Sequence, residues 1–407
     1  MALLRSVGPE MLAGAADNDP TNIGTAAALG ATTMYQLAWL ALLVAPLLAV
    51  VQTIAAQVGS VTRSDLQTLT RERFGRRVAA TLMVSVVIVN VATIAADLQA
   101  GAAGIGILAG VDSRWLVVPL GLGVVALLLI GRYEHVVGLL RYLLLGFVSF
   151  AVAAFLAHPD WSVVIRSSLV PTLSLRSGVV TGGVALLGTT LTSYVYMWET
   201  IGRGREEPPT EADSGRGLAR AKLGAVIGAV FTAVIFWFML VAVGATLGGR
   251  HETVTSASQA AHALRPLAGS LAADLFAIGL VVSAVVALPV LLATTAYVVG
   301  AQFDWRRGLS QPISHAREFY AVLVASIALG FAVTFAKVSV IGMLLAASVI
   351  GGLGTPFGLV VMVLLARDRS VMGTDPISRR LALAGWAVAL VVGAFGAFFV
   401  VASALGN

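Results

Sequence analysis

The chain has 407 residues, of which 58% are hydrophobic and only 11% are charged, and its mean hydropathy is +0.93. A soluble domain carries roughly 25% charged residues, so this composition excludes a soluble globular protein and indicates an integral membrane protein. The formal net charge is +6 and cysteine is absent, which excludes disulfides and thiolate metal ligands.

Apolar segments long enough to cross a bilayer recur along the whole chain. About 20 helical residues are needed to cross ~30 Å of hydrocarbon. We expect eleven transmembrane helices, at about residues 8–33, 35–58, 76–100, 114–131, 135–157, 175–200, 218–247, 268–300, 318–336, 338–366 and 381–404. Because these spans leave no room for a soluble domain, we interpret residues 1–407 as a single all-α transmembrane domain.

The basic residues are distributed unevenly between the two sides of these spans. With a cytoplasmic amino terminus, the inner segments hold 19 of the 26 Lys and Arg residues, the outer segments hold six, and Arg141 lies within the fifth span. This is the positive-inside pattern, so the positive charge indicates orientation and not nucleic-acid binding. We expect a multi-pass protein of the plasma membrane, in contact with lipid, with its amino terminus in the cytoplasm.

The longer polar connections carry no recognisable chemistry. Residues 65–74 have mixed charge and a spacing of Leu66, Leu69 and Phe74 that predicts a short interfacial helix, whereas residues 203–217 indicate a solvated loop. Neither needs a chemical role. Because the connections contain no phosphate-binding glycine loop, His and Cys cluster or nucleophile constellation, we expect neither enzymatic activity nor a cofactor.

The first span contains the polar run Asp-Asn-Asp-Pro-Thr-Asn at residues 17–22. Charges at membrane depth are rare and mark ion or substrate paths, and a proline there leaves carbonyls unpaired, which is tolerated only around an enclosed cavity. Asp19 before Pro20 also fits a helix start, with an N-cap followed by proline. Capping and ion binding are compatible, and Asp17 lies either among the ligands or at a water-filled entrance.

Two further polar positions lie inside later spans. Asp97 is an intramembrane carboxylate of the third span, and such groups are functional by default. Ser348 lies in the tenth span. We assign both residues a relay or supporting role beside the ion site.

The sixth span is interrupted in the same manner as the first. Gly188, Thr189, Thr190, Thr192 and Ser193 weaken its helix at mid-membrane. Because five spans separate the two interruptions, the second group of five enters the membrane in the opposite sense, which is typical of inverted-repeat transporters with a midplane site. We place the repeats at about 8–157 and 175–366, with an extra helix at 381–404. The alternative is that these hydroxyls bond back to their own helix or hold neighbouring helices together.

These residues resemble the Nramp divalent metal transporters. The family's Asp-Pro-Gly-Asn motif is similar to residues 19–22, and further similarity lies at Ala96-Asp97-Leu98, Gly188-Thr189-Thr190 and Thr355-Pro356-Phe357. The first-span run, Gly-Thr-Thr-Leu at 188–191 and Trp198-Glu199 are closer still to the Nramp-related branch that includes magnesium transporters. The resemblance implies about eleven helices in a LeuT-like 5+5 inverted repeat, with discontinuous helices 1 and 6.

The same resemblance implies a ligand set. The metal carboxylate corresponds to Asp19 and the carboxamide ligand to Asn22, and their i,i+3 spacing places both on one helix face. The backbone carbonyls at the two breaks correspond to Ala16 and Thr189.

The chain departs from the family where a soft ligand is expected. The family's Met-Pro-His-Asn is replaced here by Thr-Ser-Tyr-Val at residues 192–195, so the thioether that favours transition metals is absent. Met197 does not replace it, because five helical residues turn it about 140° away from Thr192. The acidic residue expected three positions after Asp97 is Ala100, and the ninth span has no internal arginine. We therefore expect proton coupling of the Nramp type to be weak or absent.

The residues leave two substrates open. Asp19 and Asn22 with hydroxyls and carbonyls form an all-oxygen site for a hard divalent cation, Mg²⁺ or Mn²⁺. Alternatively, the start of the sixth span's second half, with Thr192, Ser193 and Tyr194, holds a small oxyanion such as bicarbonate while Asp17 or Asp19 binds a coupling Na⁺ or H⁺. Outside transport, the alternative is an ion-binding membrane sensor. The sequence defines no oligomeric state and is compatible with a monomer.

Overall fold

A computed structural model describes residues 17–130, 144–172, 177–206, 215–248, 257–335 and 339–404. All regular structure in these ranges is helical. The helices in chain order are α1 (Pro20–Thr33), α2 (Ala38–Thr62), α3 (Leu66–Ala109), α4 (Val117–Ile130), α5 (Val148–Leu156), α6 (Trp161–Leu169), α7 (Ser177–Thr190), α8 (Ser193–Ile201), α9 (Gly215–Leu247), α10 (Ala257–Phe303), α11 (Arg317–Thr334), α12 (Val340–Arg367), α13 (Arg369–Met372) and α14 (Arg379–Ala404).

Nine helical segments within the described ranges are long and apolar enough to cross a membrane. One of them, Gly178–Arg205, comprises α7, α8 and a following π-helical turn, and corresponds to the sixth span. The first and fifth spans are missing from the nine because parts of 8–33 and 135–157 lie outside the described residues. The all-helical membrane architecture expected from the sequence is confirmed.

Local sequence explains where the helices start and break. Asp65 caps α3, and Gly75 interrupts it with φ 85°, a conformation that side-chain-bearing residues rarely adopt. The segment before Gly75 is a short helix, as the spacing of residues 65–74 predicts, and its Leu66 and Leu69 are buried within the protein. Its place at the membrane interface stays a prediction. The sixth span ends its first half at Thr190 and restarts at Ser193, as its Gly and Thr content predicts.

The two halves of the molecule pack through corresponding helices. The most extensive helix contacts join α3 to α10, the third and eighth spans, and α2 to α9, the second and seventh. Between these pairs, α1 packs against α7, α9 and α12. Every residue of α8 is buried, as are most residues of α1, so the two interrupted spans lie at the centre. The exact repeat boundaries stay a prediction.

A close contact fixes α7 against α12. A Cβ atom on Gly188 would lie 2.1 Å from the carbonyl oxygen of Ser348 and 2.3 Å from the backbone nitrogen of Gly352. Only glycine allows this approach of two helices, which is how small residues act at membrane helix interfaces. The end of α7, with the break that follows it, is thereby held against the tenth span.

Candidate ion site

The site begins where α1 begins. Asp19 has extended backbone angles and caps α1, and its Oδ1 accepts a hydrogen bond from the backbone N–H of Asn22 at 3.0 Å. Pro20 follows at the first helical position, where a missing N–H has no cost. The hydroxyl of Thr21 donates to the same Oδ1 atom. Asp19 is thus fixed by its own helix start, as its position before Pro20 predicts.

Hydroxyl groups on both sides of the break in the sixth span connect to the Asp19 carboxylate, one through Thr21 and one directly. At the end of α7, the Thr189 hydroxyl lies 2.9 Å from the Thr21 hydroxyl. At the start of α8, the Tyr194 hydroxyl donates to Asp19 Oδ2 at 3.1 Å. Since Thr21 uses its proton on Asp19, Thr189 is the donor in the first pair. The two interruptions therefore converge on a single carboxylate, as their pairing in the sequence predicts.

Several buried polar atoms around Asp19 have no hydrogen-bond partner within the described ranges. They are Oδ1 and Oδ2 of Asp17, the side-chain oxygen and nitrogen of Asn18, Oδ1 of Asn22, Oγ of Ser193, and Oδ1 and Oδ2 of Asp97. Nearly all buried polar groups in proteins are paired, and an unpaired one costs about 1–3 kcal/mol. This concentration of unpaired oxygens is what a cation site requires.

Three buried carboxylates lie close to one another beside the break in the sixth span. The Tyr194 hydroxyl is within electrostatic range of Asp17, Asp19 and Asp97, and Asp97 is also within range of Asp19. The backbone N–H of Thr21 faces Asp97, although neither Asp97 oxygen completes a hydrogen bond of normal geometry. None of the three carboxylates forms an ion pair with a described residue. Their repulsion in a low-dielectric interior favours a bound positive charge.

Carboxylates alone do not complete a metal site here. In the part of the chain that the structure describes, no three His, Cys, Asp or Glu side chains converge as metal ligands. A bound ion would therefore also draw on neutral oxygens. The hydroxyls of Thr21 and Tyr194 bond to Asp19, the Thr189 hydroxyl bonds to Thr21, and Asn22 lies in the first turn of α1. A hard cation accepts such a set, and a soft one gains little from it.

The remaining residues of the expected site lie at varying distances from Asp19. Thr192 caps α8 without a side-chain hydrogen bond, and Ser193 follows it, so both lie at the break without a bond to Asp19. Ser348 contacts the Thr25 hydroxyl at 2.8 Å and supports α1 from α12. Ala16 lies outside the described residues. The hydroxyl of Thr190 donates to the Leu186 carbonyl at 2.6 Å, so the back-bonding alternative holds for this residue.

Two contacts of the site were missed by sequence reasoning. Ser283 of α10 donates to the backbone carbonyl of Asn18, and Asn22 Nδ2 donates to the carbonyl of Asp17. Both hold the unwound segment before α1. A lone serine within an apolar span was the only signal for Ser283, and it does not distinguish a site residue from one that bonds to its own helix.

A cavity of about 380 Å³ lies away from this site, between α2, α7 and α14. Its walls include Trp39, Val180 and Phe395, and it is almost entirely apolar. Cavity size therefore does not locate the ion site, because buried carboxylates converge elsewhere.

Known proteins resemble this chain over almost its whole length. Residues 10–402 match the family model described as "Nramp: Natural resistance-associated macrophage protein-like". The divalent metal cation transporter MntH of Deinococcus radiodurans is 27% identical over 398 residues, covering 96% of this chain and 88% of that protein. MntH of Bacillus subtilis is 23% identical over 404 residues, covering 98% and 92%.

Solved structures show the same fold. A mutant of the manganese transporter of Eremococcus coleocola superimposes with a TM-score of 0.77 at 18% identity, covering 97% of this chain and 85% of that one. The nucleobase-cation-symport-1 family transporter Mhp1 superimposes with a TM-score of 0.64 at 16% identity, covering 98% and 91%. These likenesses show that the chain shares the fold of these transporters.

Proposed function

The chain belongs to the Nramp family, and on that premise we propose that it transports a hard divalent cation, Mg²⁺ or Mn²⁺, across the membrane by alternating access. Relatives named as divalent metal cation transporters support the broader class of substrate. The preference for a hard ion is inferred from the residues of this chain.

One observation carries the proposal: three buried carboxylates, none of which forms an ion pair with a described residue, lie near hydroxyl groups of both interrupted spans. Asp17, Asp19 and Asp97 supply the charge, and Thr189 and Tyr194 supply hydroxyls from the opposite half. Among the described residues, the side-chain atoms that donate hydrogen bonds to Asp19 are all hydroxyl oxygens. Mg²⁺ and Mn²⁺ therefore fit this site better than ions that prefer sulfur ligands. The ligand roles of Asn22, Thr192 and the Ala16 carbonyl belong to the same proposal.

The oxyanion alternative has one feature in its favour. The Ser193 hydroxyl is buried at the amino terminus of α8, a position that attracts anions, and it has no hydrogen-bond partner among the described residues. The same place lies beside Tyr194, which faces three carboxylates, and their negative charge opposes a bicarbonate ion. The cation is therefore the stronger proposal.

Weak or absent proton coupling is a second part of the proposal. Ala100 is fully buried three positions after Asp97, where a titrating side chain would be needed. In the described part of the ninth span, α11, the only arginine is Arg317 at its first residue. Neither position can carry a proton through the membrane.

Transport in liposomes tests the proposal. Purified protein is expected to carry Mn²⁺ and Mg²⁺, to carry no bicarbonate, and to acidify the lumen little or not at all during metal entry. Asp19→Ala is expected to abolish metal flux, whereas Asp160→Ala, which removes the exposed cap of α6, keeps it. Bicarbonate flux without metal flux, or metal flux that survives Asp19→Ala, contradicts the proposal.

A further inference from the structure

The inner end of the broken sixth span is tied to the rest of the protein by a second buried charge group. Helix α8 carries Tyr194 at its start and continues through the π-helical turn Gly202–Glu206. That turn lies on the predicted cytoplasmic side, where it meets the connection between α2 and α3. The two connections for which we expected no chemical role are therefore in contact.

The centre of this contact is Asp65. Its Oδ2 accepts hydrogen bonds from Arg205 Nε at 2.5 Å and Arg307 at 3.2 Å. Arg307 also donates to the Thr68 hydroxyl at 2.7 Å, and that hydroxyl donates to the same Asp65 oxygen at 2.9 Å. We call these four residues the Asp65 cluster. It joins the start of α3, the end of the sixth span and the segment before α11.

Further bonds hold the same two segments together. The backbone N–H of Leu66 donates to the Thr200 hydroxyl at 3.2 Å, and Arg63 donates to the carbonyl of Arg203 at 3.0 Å. Arg203 in turn pairs with Glu199 at 2.6 Å, with both side chains buried. The inner end of α8 is thus bound over more than one turn.

The negative charge of Asp65 is compensated by the two arginines of the cluster. Burial acts to raise the pKa of Asp65, but Arg205 and Arg307 outweigh it and the pKa is lowered. The side chains of Asp65 and Arg307 are 3% and 5% exposed. An ion pair this well buried is costly to break, because either partner left alone is an uncompensated charge.

We propose that Asp65 is a positioning residue for transport: it holds α8 against the α2–α3 connection, keeps the inner side of the ion site closed, and must release the sixth span for the ion to leave. This rests on the proposed function. From Tyr194 to Arg205 the helical path is rigid and about 16 Å long, at ~1.5 Å per residue, so displacement at the cluster moves the Tyr194 hydroxyl away from Asp19.

The absence of cysteine makes the test direct. Met197 lies on α8 between site and cluster and is 1% exposed, so Met197→Cys provides a single buried thiol. Its rate of labelling by a membrane-impermeant maleimide is measured from the cytoplasmic side of inside-out vesicles, with and without Asp65→Asn. The matched control is Arg71→Gln, which breaks the Arg71–Asp304 pair on the same side without touching α8.

Asp65→Asn is expected to raise the labelling rate about tenfold, the effect of one lost charge-assisted hydrogen bond on the closed state. Arg71→Gln leaves the rate unchanged, Asp65→Glu restores most of the protection, and the Kd for Mn²⁺ stays within about twofold of the parent in every variant. Unchanged labelling in Asp65→Asn overturns the proposal, and so does a gain in labelling accompanied by lost Mn²⁺ binding, since that indicates general unfolding.

The labelling assay needs no transported ion. Protein that carries no metal but shows the expected labelling contradicts the proposed function and keeps the role of Asp65. Protein that carries metal with labelling unaffected by Asp65→Asn keeps the function and removes that role.

Discussion

Asp19 and Asp65 begin two helices in the same manner and end in opposite electrostatic states. Each caps its helix through a backbone N–H three residues later, and each accepts a bond from a nearby threonine hydroxyl, Thr21 or Thr68. Asp65 then meets two arginines, whereas Asp19 meets hydroxyls and other carboxylates. The local motif does not distinguish a structural carboxylate from a ligand-binding one. The two kinds of carboxylate are distinguished by the partner that compensates the negative charge.

The largest difference between the two residues is expected in Mn²⁺ affinity when each charge is removed in turn. Asp19→Asn keeps an oxygen for the cap but removes the charge, and we expect Mn²⁺ affinity to fall about 100-fold or more, roughly 2.7 kcal/mol. Asp65→Asn is expected to change affinity by at most about twofold. Isothermal titration calorimetry measures both. A loss of no more than about twofold in Asp19→Asn would show that Asp19 acts only as a cap.

A smaller effect is expected when the compensation of Asp65 is reduced. Arg307→Gln leaves Arg205 in place, so we expect a loss of about 2 kcal/mol in stability, less than the ~3–5 kcal/mol for a fully broken buried pair. Thermal unfolding in detergent measures it. Arg71→Gln, whose partner Asp304 is 72% exposed, should cost less than about 1 kcal/mol. Equal costs for the two variants would contradict the structural role of the cluster.

A thioether introduced at the break tests whether the Asp19 site prefers hard cations because it lacks a sulfur ligand. Thr192→Met places sulfur beside an all-oxygen site, and we expect Cd²⁺ affinity to rise about tenfold with little change for Mg²⁺. Thr192→Leu adds similar volume without sulfur and serves as the control. Calorimetry that finds no gain for Cd²⁺ would count against the alignment of the sixth span.

The smallest effect is expected from acidification of the Asp65 cluster. Because the pKa of Asp65 is lowered from 3.8, its contribution to stability is complete above that value and is lost only as pH falls through the lower folded value. The charged groups that act on it are Arg205 and Arg307, and Asp304 lies near Arg307. After correction for the smaller thiolate fraction at lower pH, labelling of Met197→Cys should therefore be the same at about pH 7 and pH 5. A rise at the lower pH that Asp65→Asn removes would refute this.

The sequence predicts those parts of the molecule that depend on neighbouring residues. The cap at Asp19, the first-turn proline and the break after Thr190 are local features, set by residue types a few positions apart. The pairing of the first and sixth spans is predicted by counting spans. Because the number of spans that separates them is odd, the second group of five helices enters the membrane in the opposite direction to the first.

What the sequence could not predict are contacts between distant segments. Tyr194 meets Asp19 and Ser283 meets Asn18 only because α8 and α10 pack around α1. The Asp65 cluster was missed for the same reason, since Arg205 and Arg307 come from separate connections. Residue type indicated that these groups are polar, but only tertiary packing determines which charges meet.

The close approach of Gly188 to α12 gives the first half of the sixth span a different close neighbour from the end of its second half. A Cβ atom on Gly188 would overlap a backbone carbonyl oxygen of α12, so α7 has no space to rotate about its own axis. We therefore expect α7 to move together with the tenth span. Helix α8 is fastened instead to the α2–α3 connection. The break between Thr190 and Ser193 lies between these two anchor points, and Thr189 and Tyr194 on its two sides contact Thr21 and Asp19, so a change of angle there would separate the groups around the Asp19 carboxylate.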